Sequence, residues 1–326
     1  MQYTSMGSKQ KVVVTRKLPE AVEARLRRDY DPHFNGDDHV YSSDELIVLA
    51  DGADALLPCH SEHLSAPAIA RLPASVKAIA NFSVGVDHVD LDAAKSRGII
   101  VTNTPDVLSD ATAEIALLLV LGAARRAAEG DRLIRAEQWR QWSPAFMVGT
   151  QTTGKTLGII GMGRVGQVTA RRARGFDMSI HYHNRRRVPA EIEQGAVYHE
   201  RLETLLGACD VLSLHCPATQ ATRHLIDAER IRLLRPGVIV VNTARGALID
   251  DEALQEALRS GHVAAAGLDV FNDEPDIHPG YRELDNTFLL PHIGSATRET
   301  RDAMGFRALD NLDAIFAGRE PGDRVA

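Results

Sequence analysis

Short apolar runs rich in β-branched residues alternate along this chain with longer stretches in which apolar residues recur every three to four positions. Residues 12–15, 55–57, 76–81 and 99–102 have the run length and composition of strands, and 19–28 has the spacing of an amphipathic helix. Strands separated by helix-length segments predict a parallel α/β sheet. Thr104-Pro105-Asp106 interrupts the alternation and marks a domain crossing near Pro105. Beyond it, Ser109 or Asp110 is placed to cap a helix that carries the apolar run 115–124. That run stops at Arg125-Arg126, far short of the roughly 20 residues a membrane span needs, so it reads as a buried helix.

A second alternation follows the Thr/Gly-rich loop 149–154. Strands are expected at 157–160, 178–182, 211–214, 238–242 and 263–268, with helices at 165–174 and 251–260. The last apolar run, 288–290, stops at Pro291, and 299–316 has the period of a helix that returns to the first lobe. At 326 residues the chain is long enough for two compact lobes with a cleft between them.

The composition, 44% hydrophobic and 25% charged, is that of an ordinary globular protein, and the net charge of -7 argues against nucleic acid as the main partner. Arginines gathered locally can still hold a small anion. The three cysteines, Cys59, Cys209 and Cys216, have no metal-ligand spacing and are too few for a disulfide framework, which fits a reducing cytoplasm; Cys216 reads as a small buried hydrophobe. The first ten residues are polar and lack the apolar stretch of a signal peptide. No metal, membrane or nucleic acid enters the expectation.

The segment Gly161-Met162-Gly163-Arg164-Val165-Gly166 places G-x-G-x-x-G directly after an expected strand and at the opening of a helix. That context makes it a dinucleotide loop: Gly161 for the tight turn, Gly163 for the approach of a pyrophosphate, Gly166 for close helix packing. The helix N-terminus offers N–H groups and positive dipole to phosphates. At the end of the next strand an NAD-binding chain carries an acid for the ribose hydroxyls. Here the sequence is His183-Asn184-Arg185-Arg186-Arg187, which predicts NADPH over NADH, with Asn184 bonding a ribose or phosphate oxygen and the arginines a 2′-phosphate. A solvated basic turn is the alternative.

Three later segments each follow an expected strand, at the end of the sheet where α/β proteins bind ligands: Asn242-Thr243-Ala244-Arg245-Gly246, Asp269-Val270-Phe271-Asn272-Asp273-Glu274-Pro275, and Pro291-His292-Ile293-Gly294-Ser295. Together they carry what reduction of a keto acid requires. Arg245 fits the cation that holds the carboxylate and polarises the carbonyl, His292 fits the proton donor, and Glu274 would pair with His292 to orient its ring; taken singly, the alternative is a surface or core histidine and an ordinary ion pair.

On these motifs, with Ser83-Val84-Gly85-Val86-Asp87-His88, Thr104-Pro105-Asp106-Val107-Leu108 and Thr112-Ala113-Glu114, nearly the whole chain resembles the D-isomer-specific 2-hydroxyacid dehydrogenases, and most of all their glyoxylate/hydroxypyruvate reductase branch. The resemblance implies a Rossmann-type dinucleotide domain at 106–291 inserted into a smaller flavodoxin-like α/β substrate domain made of 1–105 and 292–326, with the active site in the interlobe cleft. It implies that the amides of Val84 and Gly85 hold the substrate carboxylate and that Asp269 meets the nicotinamide carboxamide. Gly294 and Ser295 then lie beside cofactor and substrate. Gly163, Arg164 and Val165 contact the pyrophosphate, Asn184 to Arg187 face the adenosine ribose, and Cys216, Pro217, Thr243 and Ala244 line the cofactor. Pro58, Cys59 and His60 are expected to line the outer cleft.

The expected activity is NADPH-dependent reduction of glyoxylate or hydroxypyruvate to the D-2-hydroxy acid. A dehydrogenase for D-lactate, phosphoglycerate or phosphite remains open, as does a nicotinamide-sensing binding protein, since the C-terminal-binding-protein corepressors resemble the same enzymes. The chain ends soon after the last helix, which speaks against an appended regulatory domain. A homodimer is expected, with Trp142 of Trp139-Arg140-Gln141-Trp142 reaching toward the partner's cleft; the alternative is that both tryptophans anchor a helix end in their own core.

Overall fold

The computed structural model describes residues 8–326; the polar opening read above against a signal peptide lies, as far as Gly7, outside the described residues. The chain divides into two compact units, one holding the first segment through Leu108 together with Ala296–Ala326, the other Ser109–Ser295.

The first unit runs β1 (Lys11–Val14), α1 (Glu20–Asp29), β2 (Asp31–Phe34), α2 (Ser43–Leu49), β3 (Ala55–Leu57), α3 (Ala66–Arg71), β4 (Ala78–Ala80), α4 (Leu91–Ser96) and β5 (Ile100–Thr102). Its strands form one parallel sheet in the order β2-β1-β3-β4-β5, the flavodoxin-like winding. The apolar runs mark β1, β3, β4 and β5 because those strands are buried on both faces. β2, Asp31-Pro32-His33-Phe34, has no apolar run; it is an edge strand, where proline is tolerated and one side faces water.

The second unit begins with α5 (Ser109–Ala124) and α6 (Ala127–Arg135). It continues with β6 (Thr156–Ile160), α7 (Arg164–Ala173), β7 (Ser179–His183), α8 (Ala190–Glu193), β8 (Val197–Tyr198), α9 (Leu202–Leu206), β9 (Val211–Leu214), α10 (Ala228–Leu233), β10 (Val238–Asn242), α11 (Asp251–Arg259), β11 (Val263–Leu268) and β12 (Thr287–Leu289). The seven strands are parallel in the order β12-β11-β10-β9-β6-β7-β8, a Rossmann winding with an added strand at one edge. Ser109 is the first residue of α5 rather than its cap. The run 115–124 is a buried helix laid across the sheet. At Gly122 an added Cβ would fall 2.1 Å from the Phe288 ring, and at Gly267 it would fall 2.9 Å from the Leu119 carbonyl oxygen, so glycine sets how closely α5 approaches. Leu117, Leu119 and Val120 pack on Leu157, Ile159 and Tyr182, while Leu212, Val240 and Leu254 belong to the core on the opposite face.

The last helix, α12 (Arg298–Phe316), belongs to the first unit and buries Met304, Ala308, Leu309 and Leu312 against Val12, Val14, Val22 and Leu26. Asp313 on α12 takes a 2.6 Å bond from Arg25 and a short one from the Tyr30 hydroxyl. Among the described residues no helix is long and apolar enough to cross a membrane.

Candidate active site

In the second unit the strand order reverses between β6 and β9, and the chain segments leaving these two strands meet backbone to backbone. Gly161, at φ 101°, has no room for a side chain: a Cβ there would fall 2.6 Å from the Cys216 nitrogen and 2.7 Å from the His215 carbonyl carbon. At Gly166 a Cβ would fall 2.2 Å from the Gly161 carbonyl oxygen, which fixes α7 against the turn. Gly163 is the opposite case. It caps α7 and has nothing within 4 Å of where its Cβ would be. The first amide accepted within the helix is that of Gln167, bonded to the Gly163 carbonyl at 2.9 Å, so the amides before it lie at the exposed positive end of a ten-residue helix. A closed turn beside an open helix terminus fits a dinucleotide pyrophosphate.

β7 runs one residue further than the sequence pattern indicates, to His183, whose carbonyl accepts the Gly161 amide at 3.0 Å. Asn184 therefore sits beside the glycine turn, and its Oδ1 accepts the Met162 amide at 2.7 Å. With the carbonyl end engaged, the Nδ2 end is what Asn184 presents, a donor where an acid would present an acceptor. Arg185 and Arg186 are exposed and make no ion pair among the described residues. Arg187 is different: it forms a two-armed pair with Glu193 at 2.7 and 2.9 Å. That pairing, joined by the Tyr182 hydroxyl at 2.5 Å, holds the Glu193 carboxyl down at about 2. Arg187 thus braces the turn.

After β9, the Ser213 hydroxyl lies 2.9 Å and the Thr243 hydroxyl 3.4 Å from the two ring nitrogens of His215. Burial pushes that imidazole down to about 4, and burial pushes the neighbouring Cys216 thiol up to about 11. Both groups are neutral near pH 7. The exposed Pro217 turns the chain away, its carbonyl accepting from the Thr222 hydroxyl at 2.8 Å. After β10, buried Asn242 clamps the turn that carries Thr243, Ala244 and Arg245: its Oδ1 accepts the Ala244 amide at 2.9 Å and its Nδ2 donates to the Arg245 carbonyl at 2.8 Å. The Arg245 guanidinium is half-buried and its Nη1 donates to the Ala244 carbonyl at 2.8 Å.

Gly246 joins this turn to the next motif. A Cβ there would fall 1.9 Å from the Phe271 carbonyl carbon, so the two backbones are in direct contact. Along that second segment, Glu274 Oε1 accepts the Phe271 amide at 2.8 Å and Oε2 lies 2.6 Å from His292 Nδ1. Asp269, 1% exposed, accepts the Ile293 amide at 2.8 Å and the Gly294 amide at 2.7 Å, which fixes the loop just after His292. Burial raises the Asp269 pKa while these amides oppose the shift. Gly294 admits no larger residue easily, its added Cβ falling 3.1 Å from Asp269 Oδ2. His292 itself lies at φ 53°, an uncommon backbone for a residue other than glycine, and half-buried Ser295 closes the segment.

In the first unit the loop after β4 holds Val84 and Gly85. Their carbonyls accept from the Asn103 side chain at 2.8 Å and from the Ser83 hydroxyl at 2.7 Å, and no acceptor among the described residues takes either amide. Buried His88 and Asn81, 2.9 Å apart, fix the base of the loop. The loop of Pro58, Cys59 and His60 is anchored by buried Glu62, which accepts the Cys59 amide at 2.9 Å and the Thr15 hydroxyl at 2.6 Å. In the second unit both tryptophans lie after α6 and neither enters a core: Trp139 is 53% and Trp142 75% exposed.

The sequence motifs therefore supply the glycine turn and the Glu274–His292 pair. Asn242, Asn184 Oδ1 and Gly246 clamp these turns, roles that the motifs do not assign although each residue lies within one; an asparagine or glycine at a strand end is the signal that marks such turns.

The family model for the D-isomer specific 2-hydroxyacid dehydrogenase, NAD binding domain, matches residues 117–294. The chain is 46% identical over 315 residues to glycerate dehydrogenase of Hyphomicrobium methylovorum, covering 96% of this chain and 98% of that one. It is 42% identical to glyoxylate reductase of Thermococcus onnurineus, with 96% and 95% covered. Its fold is similar to that of the NADPH-dependent glyoxylate/hydroxypyruvate reductase of Sinorhizobium meliloti, solved in complex with NADP and malonate, at TM-score 0.86 and 33% identity over 98% of this chain and 97% of that one.

Proposed function

This chain belongs to the D-isomer specific 2-hydroxyacid dehydrogenase family, and on that premise we propose that it reduces small 2-keto acids, glyoxylate and hydroxypyruvate foremost, to D-2-hydroxy acids with NADPH. The observation that carries the reading is the 2.6 Å contact between Glu274 and His292, held in the same unit as the dinucleotide turn. Reduction adds hydride to the carbonyl carbon and a proton to its oxygen. The dinucleotide, when bound, supplies the hydride. His292 supplies the proton through Nε2, the ring nitrogen that does not face Glu274, and Glu274 stabilises the imidazolium and fixes the ring. Arg245 binds the carboxylate and polarises the keto oxygen with its planar fork. Gly161, Gly163, Arg164, Val165 and Gly166 receive the pyrophosphate; Cys216, Pro217, Thr243, Ala244, Asp269 and Gly294 receive the nicotinamide half.

Similarity to a glycerate dehydrogenase supports hydroxypyruvate as a substrate, since glycerate is its reduction product. NADPH preference is supported by the absence of an acid at Asn184, by the donor it presents, and by the unpaired charges of Arg185 and Arg186. The NADPH-dependent reductase of Sinorhizobium meliloti gives the same direction. A homodimer is supported by the apolar surface after α5, where Ile134, Trp139, Trp142, Phe146 and Val148 are all exposed.

The His292→Ala variant tests the reading. With its proton donor gone, kcat for glyoxylate should fall by about 10² to 10⁴, the usual contribution of positioned acid catalysis. A near wild-type kcat would overturn the assignment.

A further inference from the structure

The turn that carries Glu274 is braced by groups that no motif assigns. Asn272, two residues before the acid, donates from Nδ2 to Asp251 Oδ2 at 2.9 Å. The other oxygen of Asp251 accepts the Tyr281 hydroxyl at 2.7 Å. Asp251 is the first residue of α11, where the helix dipole favours an acid. Tyr281 is 1% exposed and lies edge-on to the Phe271 ring, with centroids 6.1 Å apart. Burial, and then the neighbouring Asp251, raises its pKa, so the hydroxyl remains a donor. On another side of the turn, the Phe271–Asn272 backbone rests directly on Gly246.

We propose that Asp251 is a positioning residue: by tying Asn272 to the buried Tyr281 it holds the 271–274 turn so that Glu274 meets His292. The proposal rests on the acid pair described above. Both carboxylate oxygens of Asp251 are taken by protein donors, Asn272 Nδ2 and the Tyr281 hydroxyl. The N-cap function of this helix belongs to Asp250, whose side chain accepts the Ala253 amide at 3.1 Å, so Asp251 is not needed for capping. Gly246 limits movement of the turn toward Arg245, which leaves displacement away from that backbone as the motion Asp251 opposes.

A double-mutant cycle on the full chain separates positioning from general stability. Asp251→Ala should lower kcat for glyoxylate roughly tenfold to a hundredfold, the scale on which a misplaced catalytic group acts, with the cofactor KM within about twofold of wild type. In a Glu274→Gln background the same change should cost less than about twofold, because the pair it positions is already broken. If the two losses multiply, Asp251 acts on stability or elsewhere and the proposal falls. If Glu274→Gln alone retains wild-type kcat, the acid pair itself is wrong and the relay goes with it. Asp251→Asn, which keeps one acceptor oxygen at the helix terminus, carries the same cycle should the alanine variant not fold.

Discussion

A buried asparagine decides where the backbone of Arg245 lies, and the guanidinium extends from that fixed base. The two bonds of Asn242 close the turn on both sides of Ala244. Arg245 is the cation of these motifs whose planar fork matches a carboxylate and an adjacent keto oxygen; lysine keeps the charge and loses the fork. Arg245→Lys should therefore raise the KM for glyoxylate and lower kcat together, each by about tenfold, as for an interaction that strengthens in the transition state. Unchanged kinetics would assign Arg245 to structure. At this scale the candidate groups Arg245, Glu274 and His292 were legible, because each stands in a segment that follows a strand. The residues that hold them were not. Asn272 and Asp251 act through hydrogen bonds to particular partners, and nothing in the sequence distinguishes them from polar residues that face water; Asn242 is marked only by its place at a strand end. Arg187 shows the converse: in sequence it is one more member of a basic run, yet in the structure it is spent on Glu193.

Among elements, the end of β7 carries the most specific expectation. Asn184 bonds the glycine turn through Oδ1, and an aspartate in its place would keep that bond while turning a second acceptor outward. Such an acceptor suits ribose hydroxyls and repels a 2′-phosphate. The double variant Asn184→Asp, Arg185→Ala should lower the ratio of kcat/KM for NADPH over NADH by roughly tenfold, what one charge-assisted hydrogen bond gives at the weaker end of its range. Arg185 is exposed, so the parent ratio should also shrink as salt is raised. A ratio unmoved by the double variant would return the arginines to a solvated surface. The elements that the hydrophobic pattern located are those buried on two faces, such as β9, β10 and β11. Edge strands β2 and β8 and the short helices α2, α3 and α4 bury too little to leave a period of their own.

For the whole molecule, the sequence carried the two parallel sheets because most strands of each wound sheet, though not the edge strands β2 and β8, are apolar runs between helices. It carried less about assembly. The exposed Trp139 and Trp142 set aside the expectation that both anchor a core of their own, and the proposed homodimer accounts for their exposure. Light scattering at micromolar concentration should give about twice the 35.5 kDa chain mass, and a monomer there would rule the dimer out. The proposed NADPH-dependent reduction of small 2-keto acids is checked by steady-state kcat/KM of the unaltered protein for glyoxylate, hydroxypyruvate and pyruvate with each cofactor. Glyoxylate and hydroxypyruvate should rank above pyruvate, and NADPH above NADH by roughly tenfold or more. Equal efficiency with the two cofactors, or pyruvate ahead of both other acids, would contradict it.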